Sequence, residues 1–440
     1  MKNNIHKKVL VLQILTKKYK KMTPSYDDDY YGTITYSTID LNITGFSAFI
    51  GGVLLPDGRV IFVPHYALSI GILNSITNVF STIPGAPGYG AYIDGVLLPD
   101  NRVIFVPYFS PTIGIFNSIN NTFSTILGTE TAQIPGHAAY SGGVLVPDGR
   151  VIFVPYFAKT IGIFNPLNNS FSTISGTETA QIRGEGAYQG GILIPDGRVI
   201  FIPFLAKTIG IFDPKTNIYT TLPELPASSE SQELSKSSDS SESSESSESK
   251  LPKLPGNGGY MNGVLLHDGR IVFIPHNTLT VGIFDPVTNI YSTIDGIQTL
   301  NIWNDKNINI NNTNNEMLGH GGYAGGVLLS DGRVIFVPHF SSIIIIFDPT
   351  TNTFNTFSGR CDSAYQGGIL LQDGRVIFFP RHTRNIGVLT FSDEKAKHRT
   401  QTRLEKIKEE LLAVTWHPKR MLSCLDYNER SELLHKWNLI

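Results

Sequence analysis

The chain has 440 residues, of which 41% are hydrophobic, and a formal net charge of −2 at pH 7. This composition excludes global disorder, and the length allows one large hydrophobic core or two modest ones. Only two cysteines occur, Cys361 and Cys424, so the sequence holds no disulfide framework and favours a reducing compartment.

The two ends of the chain differ in charge from the body. Residues 1–22 contain seven lysines and no acid, and residues 393–440 contain ten basic against eight acidic residues. The body between them is therefore acidic, which argues against a nucleic-acid-binding surface there. The apolar run at 9–15 is flanked by lysines and lacks a small-residue cleavage site. We expect a basic, flexible arm over residues 1–30, no signal peptide and no membrane span.

One β-hairpin is repeated seven times along the chain. In "VLVPDGRVIFVP" at 144–155, two runs of β-branched and aromatic residues flank an Asp-Gly pair, the strongest short-range hairpin signal. The arginines of successive turns are 43, 48, 48, 72, 63 and 42 residues apart, a period typical of propellers or solenoids. The turns are Asp57-Gly58-Arg59, Asp100-Asn101-Arg102, Asp148-Gly149-Arg150, Asp196-Gly197-Arg198, Asp268-Gly269-Arg270, Asp331-Gly332-Arg333 and Asp373-Gly374-Arg375.

Each period holds four short β-like segments, and this number favours a propeller over a solenoid. In the third unit they are residues 142–147, 150–155, 160–166 and 170–174. Four antiparallel strands per unit make one propeller blade. The predicted fold class is therefore all-β, a seven-bladed β-propeller of four-stranded antiparallel blades spanning residues 31–391.

The count of fourth strands predicts how the ring closes. The fourth segment "YSTI" at 36–39 precedes every first segment, and none follows the seventh third segment at 385–391. We therefore expect residues 34–40 to be the outer strand of the last blade, because a propeller with free ends would expose its sheet edges.

At this level of detail the repeats resemble the kelch-type blade. The pattern "DGRVIFVP" followed by "IGIFDP" and an aromatic-led fourth strand carries the resemblance over residues 31–391. The chain departs from the kelch pattern in placing its glycine pair at the first strand, and in having Phe or Tyr where kelch blades have Trp. The Asn-rich loops and the ending "LLAVTWHPKRMLSCLDYNE" also resemble proteins of giant DNA viruses of amoebae, the mimivirus-like viruses. The resemblance implies a kelch-like propeller of viral origin.

Two insertions and a tail interrupt or follow the repeats. The Ser/Glu-rich insertion at 228–250 holds six acids and two lysines, and we expect it to be disordered. A second, Asn-rich insertion lies at 301–319. Residues 392–440 form a separate tail, in which Leu404, Ile407, Leu411 and Val414 follow helical spacing, so a short α-helical tail is predicted there.

The best candidate binding surface is one position per blade, directly after the proline that ends the second strand. Both insertions lie on the same face of the ring as this position. Its varied occupants indicate either a recognition surface, for a protein or a glycan, or packing between blades. They are His65, Tyr108, Tyr156, Phe204, His276, His339 and Arg381.

No catalytic, metal or cofactor motif is present in the sequence. The histidines repeat without a carboxylate or cysteine in their motif, which favours a structural role over zinc binding. The seven Asp/Arg pairs are alike in every blade, whereas catalysis needs groups with distinct roles. We therefore expect a non-catalytic scaffold with a protein partner, as a virion component or host-interaction factor, in the host cytoplasm or the virion. The alternatives are an enzyme with its site on the insertion-bearing face, or a glycan-binding propeller.

Overall fold

The computed structural model describes residues 34–43, 47–127, 134–177, 180–222, 254–255, 258–295, 321–357 and 364–391. Four predicted segments lie outside these described residues: the arm at 1–30, the insertions at 228–250 and 301–319, and the helical tail at 392–440. The described part contains 28 β-strands and no helix. None of its elements is a helix long and apolar enough to cross a membrane.

The strands form seven four-stranded sheets, the blades, which we number from the first complete one. Blade one holds β2 (Phe49–Leu54), β3 (Arg59–Pro64), β4 (Ser69–Asn74) and β5 (Val79–Pro84), and blade two holds β6 (Tyr92–Leu97), β7 (Arg102–Pro107), β8 (Thr112–Asn117) and β9 (Thr122–Leu127). Blade three holds β10 (Tyr140–Leu145), β11 (Val151–Pro155), β12 (Thr160–Asn165) and β13 (Ser170–Ser175), and blade four holds β14 (Tyr188–Leu193), β15 (Val199–Pro203), β16 (Gly210–Asp213) and β17 (Ile218–Thr221). Blade five holds β18 (Tyr260–Leu265), β19 (Ile271–Pro275), β20 (Val281–Asp285) and β21 (Ile290–Ile294), and blade six holds β22 (Tyr323–Leu328), β23 (Val334–Pro338), β24 (Ile344–Asp348) and β25 (Thr353–Phe357). Blade seven holds β26 (Tyr365–Leu370), β27 (Val376–Pro380), β28 (Asn385–Phe391) and β1 (Ile34–Asp40).

The seven-bladed propeller predicted from the repeat is confirmed. In every blade the strands pair antiparallel in the order first, second, third, fourth, and the first strands of successive blades contact each other in a closed circle. Second strands are buried along nearly their whole length, because neighbouring blades cover both of their faces. Fourth strands are largely exposed, as expected at the rim.

Ring closure by the N-terminal strand is also confirmed. β1 pairs with β28 over seven residues, from Ile34 opposite Phe391 to Asp40 opposite Asn385. The hydroxyls of Tyr36 and Tyr365 are 2.5 Å apart. The same bond joins the first and fourth strands of blade four, Tyr188 to Tyr219, so Tyr36 occupies the place of a fourth-strand aromatic.

The Asp-Gly-Arg turns are structural, as the sequence predicts. In blade three, Asp148 Oδ1 accepts from the Arg150 backbone N–H at 3.1 Å, and Asp148 Oδ2 accepts from Arg150 Nε at 2.8 Å. Gly149 has φ +86°, the left-handed region that favours glycine. Each pair is more than one-tenth exposed, so its charge attraction alone stabilises the fold little.

The turn arginine also reaches the next blade. Its guanidinium donates to a carbonyl in the turn between the third and fourth strands of the following blade, as Arg198 does to Pro286 O at 3.0 Å. Arg375 of blade seven reaches the Ser75 carbonyl of blade one, so these bonds cross the junction between the last and first blades. We call these contacts inter-blade clasps; they are made by Arg59, Arg102, Arg150, Arg198, Arg270 and Arg375.

Candidate functional site

All seven residues predicted at the position after the second-strand proline line one cavity of about 260 Å³. The proline ends each second strand and the chain then turns along the face of the ring, so the repeat places equivalent side chains around a common axis. His65 and His339 are buried and the other five are half-buried. We call this set the girdle: His65, Tyr108, Tyr156, Phe204, His276, His339 and Arg381.

Six of the seven girdle residues, from His65 to His339, form a series in which each ring contacts the next. The ring centroids of Tyr108 and Tyr156 are 6.1 Å apart, and those of Tyr156 and Phe204 are 6.0 Å apart. Neighbouring rings are inclined by 38° to 47°, close to the rotation of about 51° between blades of a sevenfold ring. The girdle residues therefore pack between neighbouring blades and also line the cavity.

The three girdle histidines make the same bond. Nδ1 of His65 lies 2.7 Å from the Tyr92 carbonyl oxygen of the next blade, and His276 and His339 repeat this contact with Tyr323 and Tyr365. Since a carbonyl only accepts, Nδ1 is the donor and Nε2 of the neutral ring is an acceptor.

Burial keeps these imidazoles uncharged at neutral pH. It lowers the pKa of His65 to about 4 and that of His339 to about 3, and it also lowers the pKa of His276. The positive charge of Arg381 lowers the pKa of all three further. Their neutral state therefore contributes stability that is complete above about pH 6.5 and is lost as the pH falls toward 4.

Arg381 is the exception in the girdle because it brings a full charge into the cavity. Its guanidinium donates to Oε1 of Gln366, a neutral amide. Within the described residues no carboxylate forms an ion pair with it. Burial lowers the pKa of Arg381, but an arginine stays protonated in proteins.

The tyrosines of the girdle supply hydroxyl donors. Burial raises the pKa of Tyr108 to about 12 and also raises that of Tyr156, so both hydroxyls stay protonated at neutral pH.

The floor of the cavity is mainly apolar. It comes from the residue before the glycine pair in several first strands: Ile50, Ile93, Gln189 and Met261.

Two residues near the axis were missed by the sequence reasoning. Asp94 and Asn262 replace the first glycine of the pair in blades two and five, at the level where the first strands approach closely. A Cβ on Gly142 would lie 3.1 Å from the Cα of Gly190, which explains why glycine fills this position in five blades. The broken glycine pair in "YIDGVL" and "YMNGVL" was the signal.

Asp94 is a carboxyl held among backbone groups. Its Oδ1 accepts from Gly95 N–H at 2.8 Å, and its Oδ2 accepts from Gly143 N–H of the next blade at 3.0 Å. Burial raises the pKa of Asp94 to about 6, and the two amide donors only partly oppose this. The counterpart Asn262 is exposed, and its Oδ1 accepts from Gly263 N–H at 2.9 Å.

A second set of side chains follows the girdle, one residue after each girdle position, and two of its members, Phe340 and His382, also line the cavity. Four of them are large apolar residues with about half of their surface exposed: Tyr66 at 53%, Phe157 at 48%, Leu205 at 45% and Phe340 at 54%. The rings of Tyr66 and Phe157 pack edge-on against the girdle, with the ring centroids of Phe157 and Tyr156 5.0 Å apart, and the ring of Phe340 lies tilted against His339 at 4.3 Å. We call this set the collar: Tyr66, Phe109, Phe157, Leu205, Asn277, Phe340 and His382.

The collar was also missed by the sequence reasoning, although its pattern is visible in the repeat. The dipeptides after the second-strand prolines are His-Tyr, Tyr-Phe, Tyr-Phe, Phe-Leu, His-Asn, His-Phe and Arg-His. The predicted binding surface included only the first residue of each dipeptide. No three His, Cys, Asp or Glu side chains in the described ranges are placed to hold a metal ion.

Comparisons with known proteins support the fold. No family model matches the chain, and no curated protein matches it in sequence. A solved streptogramin B lyase is 16% identical, with a TM-score of 0.59 over 82% of this chain and 98% of that chain. A catalytically inactive virginiamycin B lyase from Staphylococcus aureus, solved with quinupristin, is 14% identical with the same TM-score, over 81% of this chain and 99% of that one. Hydrazine synthase from Kuenenia stuttgartiensis is 10% identical with a TM-score of 0.52, over 78% and 96%. At these identities the likeness concerns the propeller fold alone.

Proposed function

We propose that this chain is a non-catalytic binding propeller whose protein partner contacts the collar and the girdle. The observation that carries the proposal is the collar, in which four of seven residues are large apolar side chains about half exposed, each next to a girdle residue that lines the cavity. Exposed apolar residues that cluster around a concavity mark interaction sites in soluble proteins. Aromatic residues are also enriched at the centres of protein interfaces.

The opposite face provides a contrast within the same molecule. It also exposes apolar residues, including Ile76 at 81%, Ile119 at 73% and Leu167 at 85%. These lie at the turns between third and fourth strands, each in a different blade, and none of them lines the cavity inside the girdle. Scattered exposed apolar residues of this kind are normal on protein surfaces.

The test compares two matched triple variants in quantitative affinity capture followed by mass spectrometry. The collar variant carries Tyr66→Ser, Phe157→Ser and Phe340→Ser, and the control carries Ile76→Ser, Ile119→Ser and Leu167→Ser. We expect the collar variant to lose a partner that the wild type and the control both retain, with all three melting within a few degrees of each other. Equal retention by the collar variant would contradict the proposal.

A girdle variant tests the deeper part of the same surface. Changing Tyr108 and Tyr156 to Ala should weaken capture of the same partner before it weakens folding, because both side chains are only half-buried. His339 is left intact because its bond to the Tyr365 carbonyl joins two blades, so its loss would confuse packing with recognition. A melting loss as large as that of a core substitution, or full partner recovery, would assign these tyrosines to packing alone.

The biological setting of this function rests on the resemblance to kelch-like repeats and to proteins of giant DNA viruses of amoebae. We propose a virion component or host-interaction factor that acts in the host cytoplasm or in the virion. Detection of the protein in purified particles, or only in infected cells, would distinguish these two settings.

Catalysis at the same cavity is the second candidate function. It is favoured by the neutral histidines that line the cavity and by lyases among the similar solved structures. Incubation with quinupristin followed by mass spectrometry tests this candidate directly, and a wild-type product that is absent with His339→Asn would support it. A glycan reader is less favoured, because the girdle rings are mutually inclined and form no parallel platform.

A further inference from the structure

The cavity inside the girdle contains a charge that the described part of the protein does not neutralise. Arg381 is the only lining residue with a permanent charge, and its hydrogen-bond partner is the neutral Gln366 amide. Placing a charge away from water is costly unless an opposite charge compensates it. An anion entering the cavity would provide that compensation.

We propose that the cavity binds a small organic monocarboxylate with an aromatic body, and that its carboxylate pairs with Arg381. This proposal goes beyond the protein-binding function: it rests on Arg381 and the girdle rings, and the collar residues Phe340 and His382 also line the cavity. The planar guanidinium presents parallel N–H donors, which match the two oxygens of a carboxylate.

The remaining lining residues specify the body of the ligand. Tyr108, Tyr156 and Phe204 present aromatic surfaces in series, and Ile50, Ile93 and Met261 make an apolar floor. The volume of 260 Å³ is just below the range of about 300–1,000 Å³ that drug-sized ligands occupy. A single aromatic ring with a short acidic arm fits this space.

The charge of the ligand follows from the state of the histidines. Because the girdle imidazoles are neutral at physiological pH, Arg381 faces the ligand as one positive charge. One positive charge in an apolar site matches a monoanion, whereas a phosphate dianion would bring in an uncompensated second charge. Tyr108 and Tyr156, both protonated, can donate to the carboxylate as well.

The experiment uses phenylacetate, phenylacetamide and acetate as probes in isothermal titration calorimetry with the full chain. Phenylacetamide keeps the ring and loses the charge, and acetate keeps the charge and loses the ring. We expect phenylacetate to bind at least about tenfold more tightly than either probe. Phenylacetamide lacks the charge-assisted hydrogen bonds to Arg381, and acetate lacks the ring that packs against the aromatic rings of the girdle. Equal binding of phenylacetate and phenylacetamide, or no binding of phenylacetate to folded protein, would overturn the proposal.

Two arginine variants locate the effect. Arg381→Gln should weaken phenylacetate binding at least about tenfold, whereas Arg384→Gln removes an exposed charge from the same loop and should leave binding unchanged. Equal losses would indicate general electrostatics and refute the site. If Arg381→Gln fails to fold, Arg381→Lys is the alternative, because lysine keeps the positive charge but lacks the paired N–H donors of the guanidinium. Unchanged phenylacetate binding to Arg381→Lys would refute the bidentate pairing.

A nuclear magnetic resonance titration gives a second readout. The charge of Arg381 lowers the pKa of His65 and His339, so a bound carboxylate that neutralises it should raise both, and phenylacetamide should not. The collar variant changes Phe340, which also lines the cavity, so phenylacetate binding is measured on the wild type and partner capture is measured on both proteins. Loss of capture together with intact phenylacetate binding would therefore support both proposals, and intact capture without phenylacetate binding would refute only this one.

Discussion

Replacing Asp94 by Asn should change the pH dependence of stability in a defined direction. Burial raises the pKa of Asp94 from 3.8 to about 6, so the folded protein binds a proton more readily than the unfolded chain between these values. Stability therefore falls as the pH rises through this window, because the folded state must hold a poorly solvated carboxylate. Asn cannot ionise and removes this dependence.

The size of the effect follows from the shift. A change of about two pKa units corresponds to about 3 kcal/mol at most. The side chain is partly exposed, so screening by solvent reduces the difference to on the order of 1–2 kcal/mol. The Asp94→Asn variant should match the wild type near pH 4 and exceed it by this amount at pH 8. Asn262 shows that the amide can keep the local bond to the following backbone N–H.

Urea unfolding at several pH values between 4 and 8 measures this difference. The girdle histidines make both proteins less stable in acid, but this contribution cancels when the variant is compared with the wild type at each pH. Asn262→Asp is the reciprocal control, and its exposed position predicts a smaller loss at high pH. A constant difference across the range, or a wild type that gains on the variant as the pH rises, would refute the reasoning.

Two further predictions concern the turns and the ring. Gly149→Val forces a β-branched residue into a φ of +86° and should lower the free energy of unfolding by about 1–3 kcal/mol, without weakening ligand binding at the opposite face. Gly149→Asn is its control and should be near neutral, because Asn101 holds φ +64° at the equivalent position; urea unfolding of both tests this. Deleting residues 31–41 removes β1 and should lower the melting temperature and expose β28 to limited proteolysis, whereas deleting residues 1–30 should do neither. A β1 deletion that melts like the wild type would show that the ring does not depend on this closure.

The fold was predictable because each blade is specified locally. The Asp-Gly or Asp-Asn turn, the four strand-like segments and the Asn-containing turn between the third and fourth strands recur in each unit, so counting segments gave both the number of blades and the displaced fourth strand at 36–39. The girdle was predictable for the same reason, since a repeated backbone position must recur around the axis.

The rest could not be predicted because it depends on contacts between blades. The Arg198 clasp joins residues 88 apart, and the Asp94 bond to Gly143 N–H joins residues 49 apart. The repeat fixes what lies inside a blade, but the distance between blades and the burial at the axis emerge only when the ring closes. The buried charge of Arg381 is of this kind, because its surroundings come from several blades.

Because β1 pairs with β28, the strands of blade seven are synthesised far apart in time. Ile34 is made early and its partner Phe391 is made 357 residues later. At about 5–20 residues per second, β1 waits on the order of 20–70 s for the strand that it covers. Blades one to six can each form from consecutive segments as they emerge, but blade seven requires both ends of the described ring. Native pairing of β1 is therefore not available until β28 has been synthesised, and closure of the ring joins segments that are far apart in sequence.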